Sequence, residues 1–139
     1  MAPRRNERRA RARALQAIYA WDMRHGEALL RVTERVFDDL AVSAEVRALA
    51  MPLVRALDMQ RAEIDANLAT VMTNWRLDRI GAVERCVLRL AAAELATGET
   101  PPKVVLKEAV HFAERFGSEE SAKFVNGVLD ALARRQGRL

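Results

Sequence analysis

Six arginines stand in the first 20 residues, at Arg4, Arg5, Arg8, Arg9, Arg11 and Arg13, against a single acid, Glu7. The whole chain carries 23 basic and 19 acidic side chains, so its net charge of +4 is concentrated at this end. Guanidinium groups are planar, permanently charged and able to grip phosphate oxygens with two parallel N–H donors. Nucleic acid is therefore the first candidate ligand and another anionic surface the second. The plainer reading is a solvated, solubilising face. Against it, a helix carrying Arg8, Arg9, Arg11 and Arg13 spreads charge around more than one face, and the self-repulsion is relieved when an anion gathers it. Tyr19 follows two to three turns later, where its ring either packs in the core or stacks on a base. A second patch comprises Phe116, Glu120, Lys123 and Phe124, of which the last three share one face at the start of a helix. A helix N-terminus can hold a phosphate through its backbone donors, although the plainer reading puts both phenylalanines in the core. Single-stranded RNA suits arginines and aromatic platforms best, because its unstacked bases present open faces.

The inventory for catalysis is thin. His25 and His111 lie far apart in the sequence, and neither has metal-ligand spacing or a clear carboxylate partner. His111, in Ala109-Val110-His111-Phe112, reads as a partly exposed helical residue. The single cysteine, Cys86, lies in an apolar helical run and reads as an inert core thiol. No glycine-rich loop follows a strand. The expectation is a protein without catalysis, metal or cofactor.

The elements that must position these residues are helices. Apolar residues recur at spacings of three and four almost throughout, Gly and Pro together number only ten, and Ala, Leu and Val dominate. No segment approaches the length of a membrane span, and the arginine-rich start lacks a following apolar signal core. These features point to a cytoplasmic, all-α protein, one domain or two small subdomains sharing a core, with the subdomain boundary in the connector at residues 74–81. The first helix is expected from Glu7 to Met23, with Ala14, Leu15, Ile18, Tyr19 and Trp21 inward. The second, about Glu27 to Leu40, places Leu29, Val32, Val36, Phe37 and Leu40 on one stripe. Ser43 caps a long third segment carrying Val46, Leu49, Leu53, Leu57, Ile64, Leu68 and Val71, with a kink or break expected at Pro52. Residues 74–81 form a connector in which Trp75 and Ile80 still need cover. Ala82 to Thr97 is the next helix, with Val83, Val87, Leu90, Ala91 and Leu95 inward and Gly98 as its stop. Another runs from Lys103 to Phe116. The last, capped by Ser118, opens with Glu119 and Glu120 and reaches Arg134.

The stretch Lys103 to Asp130, KVVLKEAVHFAERFGSEESAKFVNGVLD, closely resembles the signature of the NusB family. Arg8 to Trp21, RRARARALQAIYAW, is similar to that family's arginine-rich first helix, and Val83 to Leu95, VERCVLRLAAAEL, to its central helix. The resemblance implies an all-helical fold of about seven helices in two small bundles, at about residues 1–74 and 75–139, and a role in transcription antitermination. It implies binding of boxA RNA together with the ribosomal protein NusE, within an antitermination complex on RNA polymerase that supports ribosomal RNA synthesis. Carried over by matching positions, Arg8, Arg9 and Arg11 hold the RNA backbone and Arg4 and Arg5 add charge. Tyr19, Lys103, Phe116, Lys123 and Phe124 line the same RNA face, and Glu120 tunes it. Glu84 and Arg89 fall on the helix that faces NusE. The chain departs from many relatives at Lys107, where they place Asn, and at Pro102, where an aromatic is common.

Two rivals accompany this reading. A similar domain occurs fused to ribosomal RNA cytosine methyltransferases, which need a separate strand-rich domain with its own cysteine nucleophile. The chain stops at Leu139 without one and is expected to act alone. The other rival is an interaction scaffold or homodimer whose arginine face is masked between subunits.

Overall fold

The computed structural model describes residues 2–139, with side chains from Arg5 onward. Among these residues there are six α-helices and a single 3-10 turn, with no strand: α1 (Ala2–Asp22), α2 (Leu29–Asp39), α3 (Ala44–Val71), the 3-10 turn Leu77–Arg79, α4 (Ala82–Thr97), α5 (Pro102–Phe116) and α6 (Glu119–Arg135). The helix count is thus one below the expected seven, the third segment running unbroken through Pro52 and the connector holding one short turn. No helix among the described residues is long and apolar enough to cross a membrane.

Helix α4 explains how the chain closes on one core. It touches α1 and α3 on one side and α5 and α6 on the other. Its run Cys86 to Leu95 is buried throughout except for Arg89. A helix apolar nearly all round is the one that others pack against. Ala14, Leu15, Ile18 and Trp21 of α1, Leu29, Val32 and Phe37 of α2, and Val46, Leu57, Ile64 and Leu68 of α3 join it in the core. Leu40 and Leu49, expected inside, are exposed. Leu40 is the residue at which α2 ends, so no further turn carries it back to the core.

Helix ends follow the sequence closely. The Ser43 hydroxyl accepts the Val46 N–H at 3.2 Å, and Ser118 accepts the Ser121 N–H at 3.1 Å. Gly98 closes α4 with φ of 71°, a conformation that β-carbons disfavour. Helix α5 opens one residue earlier than the expected Lys103, at Pro102, because at a first helical position the proline's missing N–H costs no helical bond. Pro52, by contrast, does not break α3. Backbone angles remain helical through it and depart at Gln60 (φ −119°, ψ 20°) instead. Pro52 and Ala48, whose carbonyl loses its partner to the proline ring, both lie on the solvent side of the helix, where the interruption is least costly.

Cys86 is fully buried in α4, and burial, reinforced by the nearby Asp22, pushes its thiol up to about 12. Iodoacetamide at mildly alkaline pH is expected to leave the folded protein unmodified while the unfolded chain gains one adduct, read by mass. Comparable labelling rates for both states would contradict the inert-core assignment.

Candidate nucleic-acid interface

Helix α1 divides its arginines between two environments. Arg5, Arg8 and Arg9 are exposed, as are Gln16 and Tyr19 further along the helix and Met23 just past its end. Spacings of three, four and seven place these residues along one outward stripe. Arg13, half-buried, donates to the Gln16 side chain at 2.8 Å and so lies beside this stripe. The stripe begins with cationic groups and reaches an aromatic ring about 16 Å beyond Arg8, at 1.5 Å per residue.

Arg11 is a correction to the expected phosphate contacts. Its side chain is only 7% exposed and faces inward, because it lies four residues before Leu15 and seven before Ile18, both in the core. Its Nε and Nη2 donate to Glu94 of α4 at 2.9 and 2.7 Å, and its Nη1 donates to Glu108 of α5 at 3.2 Å. Thr100 adds a hydroxyl donor to Glu94 at 2.8 Å. Arg8 completes the cluster from outside, donating to Glu108 through Nη2 at 2.5 Å and through Nε at 3.2 Å, with 49% of its side chain still exposed. Among the described residues no buried side-chain polar atom lacks a partner. The cluster thus binds three helices by charge and leaves Arg8 half-committed, held by Glu108 yet open to a phosphate.

Burial pulls the Glu108 carboxyl upward, but the hydrogen bond from Arg8 and the charges of Arg8 and Arg11 outweigh it and hold the carboxyl below its usual value. A carboxylate whose pKa falls on folding stabilises the fold fully above its unfolded value, near 4.5, and loses that contribution as pH falls through the folded one. Thermal unfolding of the wild-type protein is therefore expected to weaken more steeply below about pH 4.5 than that of Glu108→Gln. Parallel pH profiles for the two proteins would contradict this.

Helix α5 links the arginine end to the second patch. Glu108, Phe112 and Phe116 follow at four-residue spacing, so they share one face over about 12 Å. Phe112 is buried and stacks on Phe116, with centroids 6.2 Å apart and planes within 5°. Phe116 remains 48% exposed, with the Arg115 guanidinium 5.6 Å from its ring. Lys103 is exposed in the first turn of α5, about 8 Å along the axis from Glu108. At the other end, Gly117 brings α6 in tightly, since a β-carbon there would meet the Ala113 carbonyl oxygen and the Ser121 hydroxyl, each at 2.7 Å. Glu120 and Lys123 are exposed on α6, whereas Phe124 is half-buried against Trp75. The candidate residues therefore fall in two groups. Arg5, Arg8, Arg9 and Lys103 flank the ion cluster, and Phe116, Glu120, Lys123 and Phe124 gather at the junction of α5 and α6. Tyr19, expected inside α1, is 43% exposed, because it turns away from Ile18 toward the outer stripe. The Arg4 side chain lies outside the described residues.

Glu84 and Arg89 both have partners within the chain. Glu84 accepts the Ser121 hydroxyl, tying α4 to the start of α6. Arg89 donates to both carboxylate oxygens of Asp65 at 2.9 Å and to Asp22 at 3.3 Å, and lies 5.4 Å from the Trp21 ring. Its guanidinium thus fastens α1, α3 and α4 to one another, which sequence spacing alone did not suggest. The internal anchors Glu94 and Glu108 were also missed. Their signal was a carboxylate within otherwise buried helical stripes, opposite the one arginine that continues the core face of α1.

Comparison with known proteins agrees with this architecture. The NusB family model matches residues 8–134. The transcription antitermination protein NusB of Anaeromyxobacter dehalogenans (strain 2CP-1) is 45% identical over 126 residues, covering 90% of this chain and 88% of that protein. That of Solibacter usitatus is 39% identical over 93% of this chain and 89% of that protein. Thermotoga maritima NusB is similar in structure, with TM-score 0.85 at 32% identity, over 92% of this chain and 90% of that one. A chain from the crystal structure of the antitermination factors NusB and NusE in complex with double-stranded RNA gives TM-score 0.86 at 30% identity, over 94% and 98%.

Proposed function

The chain belongs to the NusB family, and from that premise we propose that it is a transcription antitermination factor that binds boxA-type RNA together with NusE on RNA polymerase. The observation that carries this reading is the outward stripe of α1, where Arg5, Arg8 and Arg9 stand exposed and Tyr19 continues the same side of the helix. Arginines there hold RNA phosphates and fix the register of the strand, while Tyr19, Phe116 and Phe124 stack on unpaired bases. Lys103 and Lys123 add charge along the path, and Glu120 discourages strands whose phosphates crowd the α6 start. Glu84, half-buried where α4 meets α6, contributes to the NusE contact. The protein does this in the cytoplasm without catalysing a reaction, as a surface that assembles RNA and protein.

The test is transcription in vitro through a terminator placed downstream of boxA, with NusE and the other antitermination factors present. Adding this protein is expected to raise read-through on the boxA template and not on one with boxA scrambled. Equal read-through with and without the protein would overturn the proposal.

A further inference from the structure

Trp75 is the most exposed aromatic side chain among the described residues, at 60%. The sequence leaves it in a connector with no cover, and in the fold its ring meets Phe124 edge-on, at 5.9 Å between centroids and 78° between planes. Its backbone is held, however. The Trp75 N–H donates to the Met72 carbonyl at 3.2 Å, and downstream Arg85 donates to the Ile80 carbonyl at 2.9 Å while paired with Asp22 at 2.6 Å. An indole kept uncovered on a fastened segment is already ordered for a flat ligand. The surroundings are cationic. Arg76 and Arg79 flank it on the connector and Lys123 precedes Phe124 on α6, all exposed. Among the described residues Arg76 pairs with Asp78, whereas Arg79 and Lys123 take part in no salt bridge.

We propose that Trp75 and Phe124 form a stacking platform for one unpaired RNA base, with Arg79 and Lys123 holding the phosphates on either side of it. This rests on the RNA-binding reading above and extends its aromatic path onto the connector. A protein partner is the poorer fit, because two rings set among charges offer far less apolar area than a specific protein interface buries. A nucleobase matches an open ring in size, and its phosphates match the cations beside it.

The chain has two tryptophans, and Trp21 is buried, so emission changes on RNA binding report Trp75. Wild type, Trp75→Phe and Trp75→Ala are titrated with fluorescently labelled single-stranded boxA-type RNA and with the same strand annealed to its complement. RNA anisotropy, tryptophan emission and unfolding temperature are followed together. The single strand is expected to quench wild-type emission, and the quench disappears in Trp75→Phe, which retains most of the affinity. Trp75→Ala loses roughly five- to a hundredfold in affinity with an unchanged salt slope, since the lost group is uncharged. The duplex, with no free base, quenches little. Binding of RNA by wild type and Trp75→Ala with equal affinity and no quench overturns the platform while leaving the antitermination reading in place. Quenching by NusE alone likewise overturns it, making Trp75 a protein contact. Absence of RNA binding by the wild type overturns both.

Discussion

Replacing Arg11 with methionine lowers the stability of the fold by about 3–5 kcal/mol, the usual cost of removing one partner from a buried ion pair. Glu94 is 4% exposed and Glu108 is similarly enclosed, so the substitution strips Glu94 of its main donor, leaving it the Thr100 hydroxyl, and takes from Glu108 one of its two guanidinium partners. In a domain of this size the loss corresponds to a fall in unfolding temperature on the order of 10–20 °C. Arg9→Met is the control, because Arg9 is exposed and its replacement changes stability by less than about 0.5 kcal/mol. A further variant, Arg11→Met with Glu94→Leu, recovers part of the loss, since an apolar replacement of a buried pair is far less costly than a broken one. Calorimetric unfolding of the three variants checks this. Equal unfolding temperatures for Arg11→Met and Arg9→Met would show that the cluster of Arg11, Glu94 and Glu108 does not hold the helices together.

Replacing Arg5, Arg8 and Arg9 together with alanine acts on RNA instead of on the fold. Each phosphate contact to a single strand contributes about 0.7 to the slope of log affinity against log salt, so three lost contacts reduce the slope by about 2. Affinity at physiological salt is expected to drop by at least about tenfold. Arg8 contributes less than the other two, because leaving Glu108 costs it a charge-assisted hydrogen bond. The loss of Arg5 and Arg9, both exposed, changes stability little, whereas the loss of Arg8 takes from the enclosed Glu108 its closest donor and accounts for what destabilisation there is. Arg11→Met, studied below its unfolding temperature, keeps the wild-type salt slope. The contrast separates two roles carried by one arginine run. A wild-type salt slope in the triple alanine variant, or a reduced one in Arg11→Met, would reverse the assignment.

Much of this was legible in the residues themselves. Helix boundaries followed from punctuation that acts locally, as at Ser43, Gly98 and Ser118, whose effects need no distant partner. The core stripe of α1 was readable from Ala14, Leu15, Ile18 and Trp21. Extended back one turn, the same stripe lands on Arg11, but a charged residue on an apolar face becomes intelligible only when its acids are known, and those stand 83 and 97 residues away. The same limit applies to Arg89, whose partners Asp22 and Asp65 belong to other helices. Tyr19 and Leu49 failed for a different reason. Helical spacing says which residues share a face but not how wide a strip the neighbouring helices cover, and both lie at its margin. Pro52 shows that a local rule gives way where the lost carbonyl partner faces solvent. Of the candidate site, Arg5, Arg9, Phe116 and Lys123, named from the sequence, are exposed, while the pairing of Phe124 with Trp75 depended on bringing the connector against α6.

On the proposal above, this chain reads boxA-type RNA, and reads it better beside NusE. This is tested most directly by measuring anisotropy of a labelled boxA RNA and a scrambled strand of equal length, with and without NusE, between about 0.05 and 0.2 M salt. Preference for boxA that widens when NusE is added, on top of a salt-dependent affinity shared by both strands, is the predicted result. Equal affinities for the two strands, with NusE present and at every salt concentration, would contradict it.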